Sequence, residues 1–372
     1  MSNKPIQVTL YSDLDSILFL KEGWNDLLAE SSMPNIFLTW EWITIWWSRF
    51  GKGRPLHFLV ARVGSKVVGV LPLYLDRMLI FPGFRAKTLR FIGDGGPVFP
   101  DYLGPIIRED YVERVIDEFS RFLHDHTFNW NMMRFSDVYP EIISIQRLVE
   151  SNRRQFGKEL YEGGERCPYL PLPSSYETLI AGLHSRRRES VRRVLRKAQK
   201  KYDIKFECYT SEDSVDEVFS LLVGIYKNSI RGRGKHNGFN RDDYLEFHRE
   251  IAKAFAKKGW LRLYILWLNN NPTAFIYGYL YNNSFWYYQT GYDTAFSNDA
   301  PGAIVLQKVF ESVIEEGAEE FDFLKGDEDY KFYYSPRERR TKTVNYFRKK
   351  GLIYFLAVTR HILSKIMAKV KN

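Results

Sequence analysis

The chain has 372 residues, 45% hydrophobic and 16% aromatic, with a formal net charge of +9. This length exceeds one ordinary core and predicts two domains, and the composition excludes a disordered or low-complexity protein. Only two cysteines occur, Cys167 and Cys208, far apart and without metal-ligand spacing, which excludes a disulfide scaffold and a zinc site and fits a reducing compartment. No secretory signal is visible, and no apolar run reaches the ~18–20 residues that span a bilayer, so a cytosolic location is expected. The basic balance suits an anionic partner: nucleic acid, a phosphorylated ligand or an acidic membrane surface.

Residues 6–11 read as a strand, and 13–30 as a helix with Asp13 or Asp15 near its N-cap. Residues 39–50 form a second helix capped by Thr39, with its tryptophans directed to a core. Strands at 56–63 and 67–74 are joined by Gly64-Ser65-Lys66, a plausible hairpin turn. The stretch 78–105, rich in Gly, Pro and aromatics, reads as looser. Residues 111–126 are periodic and helical, 132–136 resemble a buried strand, 141–155 a helix, and 168–173 a Pro-punctuated extended run.

The most basic stretch follows, from His184 to Lys201. Val191, Val194, Leu195 and Ala198 fall at i, i+3, i+4 and i+7, so one thin stripe can bury while the cations radiate outward. Such a face is either simply solvated or meets an anionic substrate. Then come a strand at 204–209, helices at 214–228 and 242–257, and three aromatic-rich strands between 261 and 292 punctuated by asparagines. The chain breaks at Ser297-Asn298-Asp299-Ala300-Pro301-Gly302, enters a periodic helix, and returns as a strand at 320–324. Pro301 suits a first helical turn, Gly302 leaves the backbone bare, and unpaired N–H groups with the positive dipole end make that helix start a candidate anion site.

The order strand, helix, helix, hairpin, helix, strand occurs twice, which predicts two copies of one fold. Between Leu352 and Val370, apolar residues near helical spacing alternate with Arg360, Lys365 and Lys369, an amphipathic basic segment that either docks on its own protein or lies on an anionic leaflet. No Gly-x-Ser-x-Gly, paired-His, Walker or Rossmann fingerprint appears, so hydrolase, metalloenzyme, NTPase and dehydrogenase readings have no support.

Three stretches carry a family likeness. The run Arg196-Lys197-Ala198-Gln199-Lys200 resembles the R-x-A-x-K run of Fem-type proteins. Asp299-Ala300-Pro301-Gly302 resembles the loop before a cofactor-facing helix, and residues 321–331, FDFLKGDEDYK, are similar to a signature of the CelD-like group. Together they resemble the GNAT acyltransferase fold, in the double-domain CelD/BcsL-type branch of cellulose and exopolysaccharide synthesis, related to the FemAB peptidyltransferases. The usual Arg/Gln-x-x-Gly-x-Gly/Ala loop is absent, as is common in that branch.

The resemblance implies an α/β (α+β) protein of two tandem GNAT-like domains, each a mixed, mostly antiparallel sheet flanked by helices. The expected limits are 1–138 for the first domain, 139–183 for a linker, 184–350 for the second and 351–372 for the tail. It implies acetyl-CoA or another acyl-CoA as co-substrate, without metal. Backbone groups at Gln289, Thr290 and Gly291 would pair with the pantetheine arm, and N–H groups near Asn298, Gly302 and Ala303 would face the pyrophosphate.

For proton transfer, Asp322 or Asp327 is the expected base or acceptor-binding group, with Tyr330 and Lys331 positioning substrate. Arg192, Arg193, Arg196, Lys197 and His236 are expected to face an anionic small-molecule or saccharide acceptor. The expected reaction is acyl transfer to an amine or hydroxyl, on a sugar or exopolysaccharide precursor. Two alternatives stand beside it: a Fem-type transferase using aminoacyl-tRNA, whose phosphates the basic helix would contact, and a non-catalytic binding subunit of an envelope-polysaccharide assembly, held at the inner face of the membrane by its tail.

Overall fold

A computed structural model describes residues 4–98, 100–126, 129–230, 238–334, 337–348 and 351–370, the last seven as backbone. His236 lies outside the described residues. In chain order the first elements are β1 (Gln7–Tyr11), α1 (Lys21–Ala29), α2 (Trp40–Phe50), β2 (Leu56–Val63), β3 (Lys66–Phe81), β4 (Phe84–Phe91) and β5 (Ile106–Ile107). Then come α3 (Val112–Asp125), β6 (Met132–Val138), α4 (Ile143–Phe156), β7 (Leu160–Glu162), β8 (Arg166–Pro171), α5 (Tyr176–Gly182) and α6 (Ser185–Lys201). The remainder is β9 (Ile204–Tyr209), α7 (Val215–Ser229), α8 (Asp242–Lys257), β10 (Leu261–Leu268), β11 (Asn271–Tyr281), β12 (Ser284–Tyr292), α9 (Pro301–Glu315), β13 (Glu320–Asp322), α10 (Asp329–Tyr334), β14 (Arg337–Arg340), β15 (Lys342–Phe347) and α11 (Leu352–Val370).

The chain divides into two compact units, 1–165 with 340–372, and 166–339. The first holds a sheet ordered β1-β2-β3-β4-β6-β15-β7, the second a sheet ordered β14-β8-β13-β12-β11-β10-β9. In both, four antiparallel strands precede one parallel pair, β4 with β6 and β12 with β13. A further strand then lies antiparallel to the fifth. The limits expected at 139–183 and 350 therefore move. β8 and α5 are not linker, because β8 bonds along β13, and β15 leaves the second unit because its ladder is with β6 and β7.

Local chemistry accounts for most element ends. Thr39 accepts from the Trp42 amide and starts α2, and Asp13 accepts from the Ser16 amide at the head of a short 3-10 turn that precedes α1. The two hairpins of the second unit close through Asn269-Asn270 and Asn282-Asn283. All four residues have positive φ, between 50° and 62°, the geometry of type I′ turns that asparagine tolerates. The stretch 78–105, expected as loose, contains the end of β3 and all of β4. The error came from Pro82-Gly83, which closes a hairpin, and from the cations of β4, Arg85 and Lys87 on one face and Arg90 on the other, which interrupt the apolar pattern of a genuine strand.

In the first unit α2 buries Trp42 and Trp46 against the sheet, and the strand β6 is buried with them. In the second unit α9 buries Ile304, Val305, Val309, Phe310 and Val313 against β10, β11 and β12, while Val191 and Ala198 of α6 close the same core. The stripe read from sequence is therefore the packed face of α6. Among the described residues, no helix is long and apolar enough to cross a membrane, and no cluster of three His, Cys, Asp or Glu is placed to hold a metal.

Candidate functional site

Strands β12 and β13 are paired only from Ser284 to Trp286, against Glu320 to Asp322. Beyond that the fifth strand turns away, and the Phe323 amide donates to Pro168 of β8 instead. A bulge in β12 enlarges the opening. Gly278 of β11 faces Tyr287 and Tyr277 faces Gln289, so Tyr288 is an extra residue and Tyr287, Thr290 and Tyr292 share a face that strict alternation would divide. A cavity of about 330 Å³ occupies the resulting wedge. Its walls are Tyr287, Thr290 and Tyr292 of β12, Gly302, Ala303, Leu306 and Gln307 of α9, and Ser190, Val191 and Val194 of α6. Tyr330, Tyr333 and Tyr334 of α10 complete it.

The head of α9 opens on this cavity. Ala300 sits in the left-handed region, at φ 52°, Pro301 takes the first helical position, and no side chain caps the turn. A Cβ at Gly302 would come within 3.3 Å of the Tyr292 ring, so glycine keeps the mouth clear. Asp299, just outside the helix, is buried and accepts from Lys201 Nζ at 2.8 Å and from the Tyr202 hydroxyl at 2.6 Å. Those bonds, Lys201 first, hold its carboxyl below the usual range. Lys197 Nζ donates to the Asn298 carbonyl at 3.2 Å. Lys197 and Lys201 thus brace the loop before α9 while their side chains stay more than half exposed.

Two tyrosines of the cavity hold their protons tightly. Desolvation is the main cause in both: it pushes Tyr287 up to about 12 and Tyr330 further, aided at Tyr330 by a hydrogen bond it donates to Tyr287. Gln307 is 2% exposed; its Oε1 accepts from Tyr176 at 3.3 Å, while its Nε2 has no partner. A buried amide donor left unsatisfied is costly, by about 1–3 kcal/mol, so its presence in a cavity wall calls for an explanation. Arg187 closes the edge: its Nη1 donates to the Tyr333 carbonyl at 2.6 Å and its guanidinium lies over that ring, latching α6 to α10.

Of the residues expected to do chemistry, Tyr330 alone lines the cavity. Asp322 is fully buried; one oxygen accepts from the Leu324 amide at 2.7 Å and the other from Arg339 Nη1 at 2.8 Å. It pins Leu324 at φ 55° and anchors the fifth strand. Asp327 is largely exposed, 4.0 Å from Arg166. Lys331 Nζ, buried, donates to the Lys325 carbonyl at 2.6 Å and pairs with Glu328, so it ties the loop preceding α10. Among the described residues no carboxylate lines the cavity.

Thr290, Gly302 and Ala303 are in the wall as expected, whereas Gln289, Gly291 and Asn298 are not. Arg192, Arg193 and Arg196 are exposed along α6. Gln307, Tyr287 and Arg187 were missed. Gln307 stands among apolar neighbours in a helix that otherwise buries only apolar groups and Pro301, and that contrast was the available signal.

In the first unit β4 pairs with β6 only at Thr88 and Leu89, and described residues after β4 bond to neighbouring strands. The Tyr102 amide donates to the Asp137 carbonyl, Tyr74 donates to the Asp94 carbonyl, and Arg90 holds the Asp94 carboxylate with two bonds.

Among solved structures the chain is similar to FemX, at TM-score 0.60 and 10% identity, over 88% of this chain and 96% of that one. It is similar to L-PGS from Bacillus licheniformis, at TM-score 0.52 and 15% identity, over 92% of this chain and 96% of that one. A conserved protein of unknown function from Bacteroides thetaiotaomicron gives TM-score 0.54 and 12% identity, over 91% and 100%. At such identities the likeness is one of fold, the tandem GNAT fold. No curated protein matches the sequence. Residues 185–332 match the family model described as acetyltransferase (GNAT) domain, so this part of the chain is similar to GNAT acetyltransferase domains.

Proposed function

We propose that the unit formed by residues 166–339 is an acyltransferase that seats an acyl-CoA, acetyl-CoA in the simplest case, in the wedge between β12 and β13. The observation that carries this reading is the unpartnered amide of Gln307 in the wall of an apolar cavity beside an uncapped helix start. Gln307 Nε2 would donate to a carbonyl oxygen of the acyl-pantetheine chain. The α9 head would face the pyrophosphate, where its dipole favours negative charge. An acceptor amine or hydroxyl, on a sugar or exopolysaccharide precursor, attacks the thioester carbon; the new C–N or C–O bond forms as C–S breaks. Tyr330, which keeps its proton, donates a hydrogen bond to the leaving thiolate, and the proton released by the acceptor reaches that thiolate by way of solvent. Asp322 has a positioning role here.

A differential thermal shift with acetyl-CoA and longer thioesters tests it. A native-state ligand at 100 times its Kd adds about 2.7 kcal/mol. No shift with any thioester at millimolar concentration would overturn it and leave the non-catalytic binding subunit. A second reading, transfer from aminoacyl-tRNA, is favoured by one observation: Arg192, Arg193 and Arg196 lie exposed in a row beside the cavity-lining Val191 and Val194. Steeply salt-dependent tRNA binding that falls when these three are replaced would select it.

A further inference from the structure

Helix α11 lies on the first unit by one face only. Ala357 is buried, and Ile353, Tyr354 and Leu356 pack with it against Ile80, Ala86, Met132 and Phe347. Arg360 Nη1 donates to the Leu79 carbonyl at 3.3 Å, fastening the helix along the β3–β4 hairpin. The other face is apolar and bare: Leu352 is 60% exposed, Phe355 61%, Ile362 52% and Leu363 48%. At 3.6 residues per turn these four fall within an arc of about 100°. The hairpin beneath adds Leu79 and Phe84, 49% and 42% exposed. Six of the eleven exposed large apolar residues of the described chain therefore stand on α11 or on the hairpin that carries it.

The charge of this segment and of the hairpin tip is basic. From Arg348 to Asn372 the sequence holds seven Lys and Arg and no Asp or Glu, and the hairpin adds Arg77, Arg85 and Lys87, whereas Arg90 is paired with Asp76 and Asp94. A second copy of the chain would bring the same cations against these, which disfavours self-association. Apolar residues ringed by cations match the boundary of an anionic bilayer, where the side chains enter the acyl region and the cations meet lipid phosphates.

We propose that the α11 face, with the tip of the β3–β4 hairpin, binds the surface of anionic membranes, the helix lying in the plane of the interface. The full chain is floated with phosphatidylcholine vesicles and with vesicles of phosphatidylcholine and phosphatidylglycerol at seven to three, in 0.1 M salt. Binding is expected to the anionic vesicles alone. The exposed substitutions Phe355→Ser with Leu363→Ser should lower the partition coefficient roughly tenfold or more, with unchanged thermal stability. Leu79→Ser with Phe84→Ser gives a second reading should the helix variant fail to fold, and should weaken binding as well.

Absence of binding to anionic vesicles overturns the proposal. So does undiminished binding of the apolar variants, which would mean charge alone. A dimer in solution that the helix variant dissociates also overturns it, by assigning the face to a second copy.

Discussion

Gln307→Leu should separate stability from ligand binding by moving them in opposite directions. In the free protein the substitution removes a buried Nε2 that no group satisfies and fills the same space with apolar atoms. Relief of an unsatisfied donor is worth about 1–3 kcal/mol, while the 3.3 Å bond from Tyr176 that is lost contributes about 1 kcal/mol. Net stability is therefore expected to be unchanged or to rise by up to about 2 kcal/mol, a few degrees in Tm for a unit of this size. The ligand loses one hydrogen bond to a carbonyl, about 0.5–1.5 kcal/mol, so acyl-CoA should bind about two- to twelvefold more weakly. Urea unfolding measures the first quantity and titration calorimetry with acetyl-CoA the second; Tyr176→Phe isolates the contribution of its own hydroxyl. A variant that is more than 2 kcal/mol less stable and binds acyl-CoA as before would show that the Gln307 amide serves the core alone.

Four further outcomes follow from the geometry. Asp322→Ala takes one carboxylate from the largely buried Arg339, which still pairs with Glu320, and frees Leu324 from its left-handed conformation, so it should destabilise by about 3 kcal/mol in urea. Combined with Arg339→Met it should cost less than the two single changes added; a fully stable but inactive Asp322→Ala would restore Asp322 as a chemical group. Tyr330→Phe should lower kcat about a hundredfold, and the wild-type rate profile should show no falling limb below about pH 10, because the active form of Tyr330 is protonated and its pKa is raised. The buried Tyr264, Tyr277 and Tyr279 act likewise on stability, present in full below about pH 10 and lost above it as the unfolded chain ionises first. Gly302→Val, placing branched carbon where a Cβ already meets Tyr292 at 3.3 Å, should abolish the acyl-CoA thermal shift while moving Tm by no more than about 2 °C.

The second unit was legible almost to the residue because local rules and tertiary demand agree there. Asparagine pairs force positive φ, Pro301 marks the first turn of α9, and the Val191-to-Ala198 spacing marks the face of α6 that packs. What escaped was anything decided by pairing across long separations. β4 was hidden because it carries cations on both faces, of which Arg90 is held by Asp76 and Asp94 within the fold, and β15 because its ladder partner, β6, lies some two hundred residues earlier.

The same limit governed the site. Proximity in sequence grouped Asp322, Asp327, Tyr330 and Lys331, yet the fifth strand and the turn after it send their side chains different ways. Asp322 goes to Arg339 on the far edge, Lys331 back under its own loop, Asp327 to solvent, and Tyr330 alone into the wedge. Chemistry instead gathers where three helices meet β12, and its members are spread between positions 187 and 334. Lys197 and Lys201 make the point from the other side. Read as part of a charge run they suggest a ligand; here both reach Asp299, Lys197 also donates to the Asn298 carbonyl, and together they fix the loop from which α9 starts. The last turns of the basic helix thus set the geometry of the helix head, while Arg192, Arg193 and Arg196 upstream stay exposed.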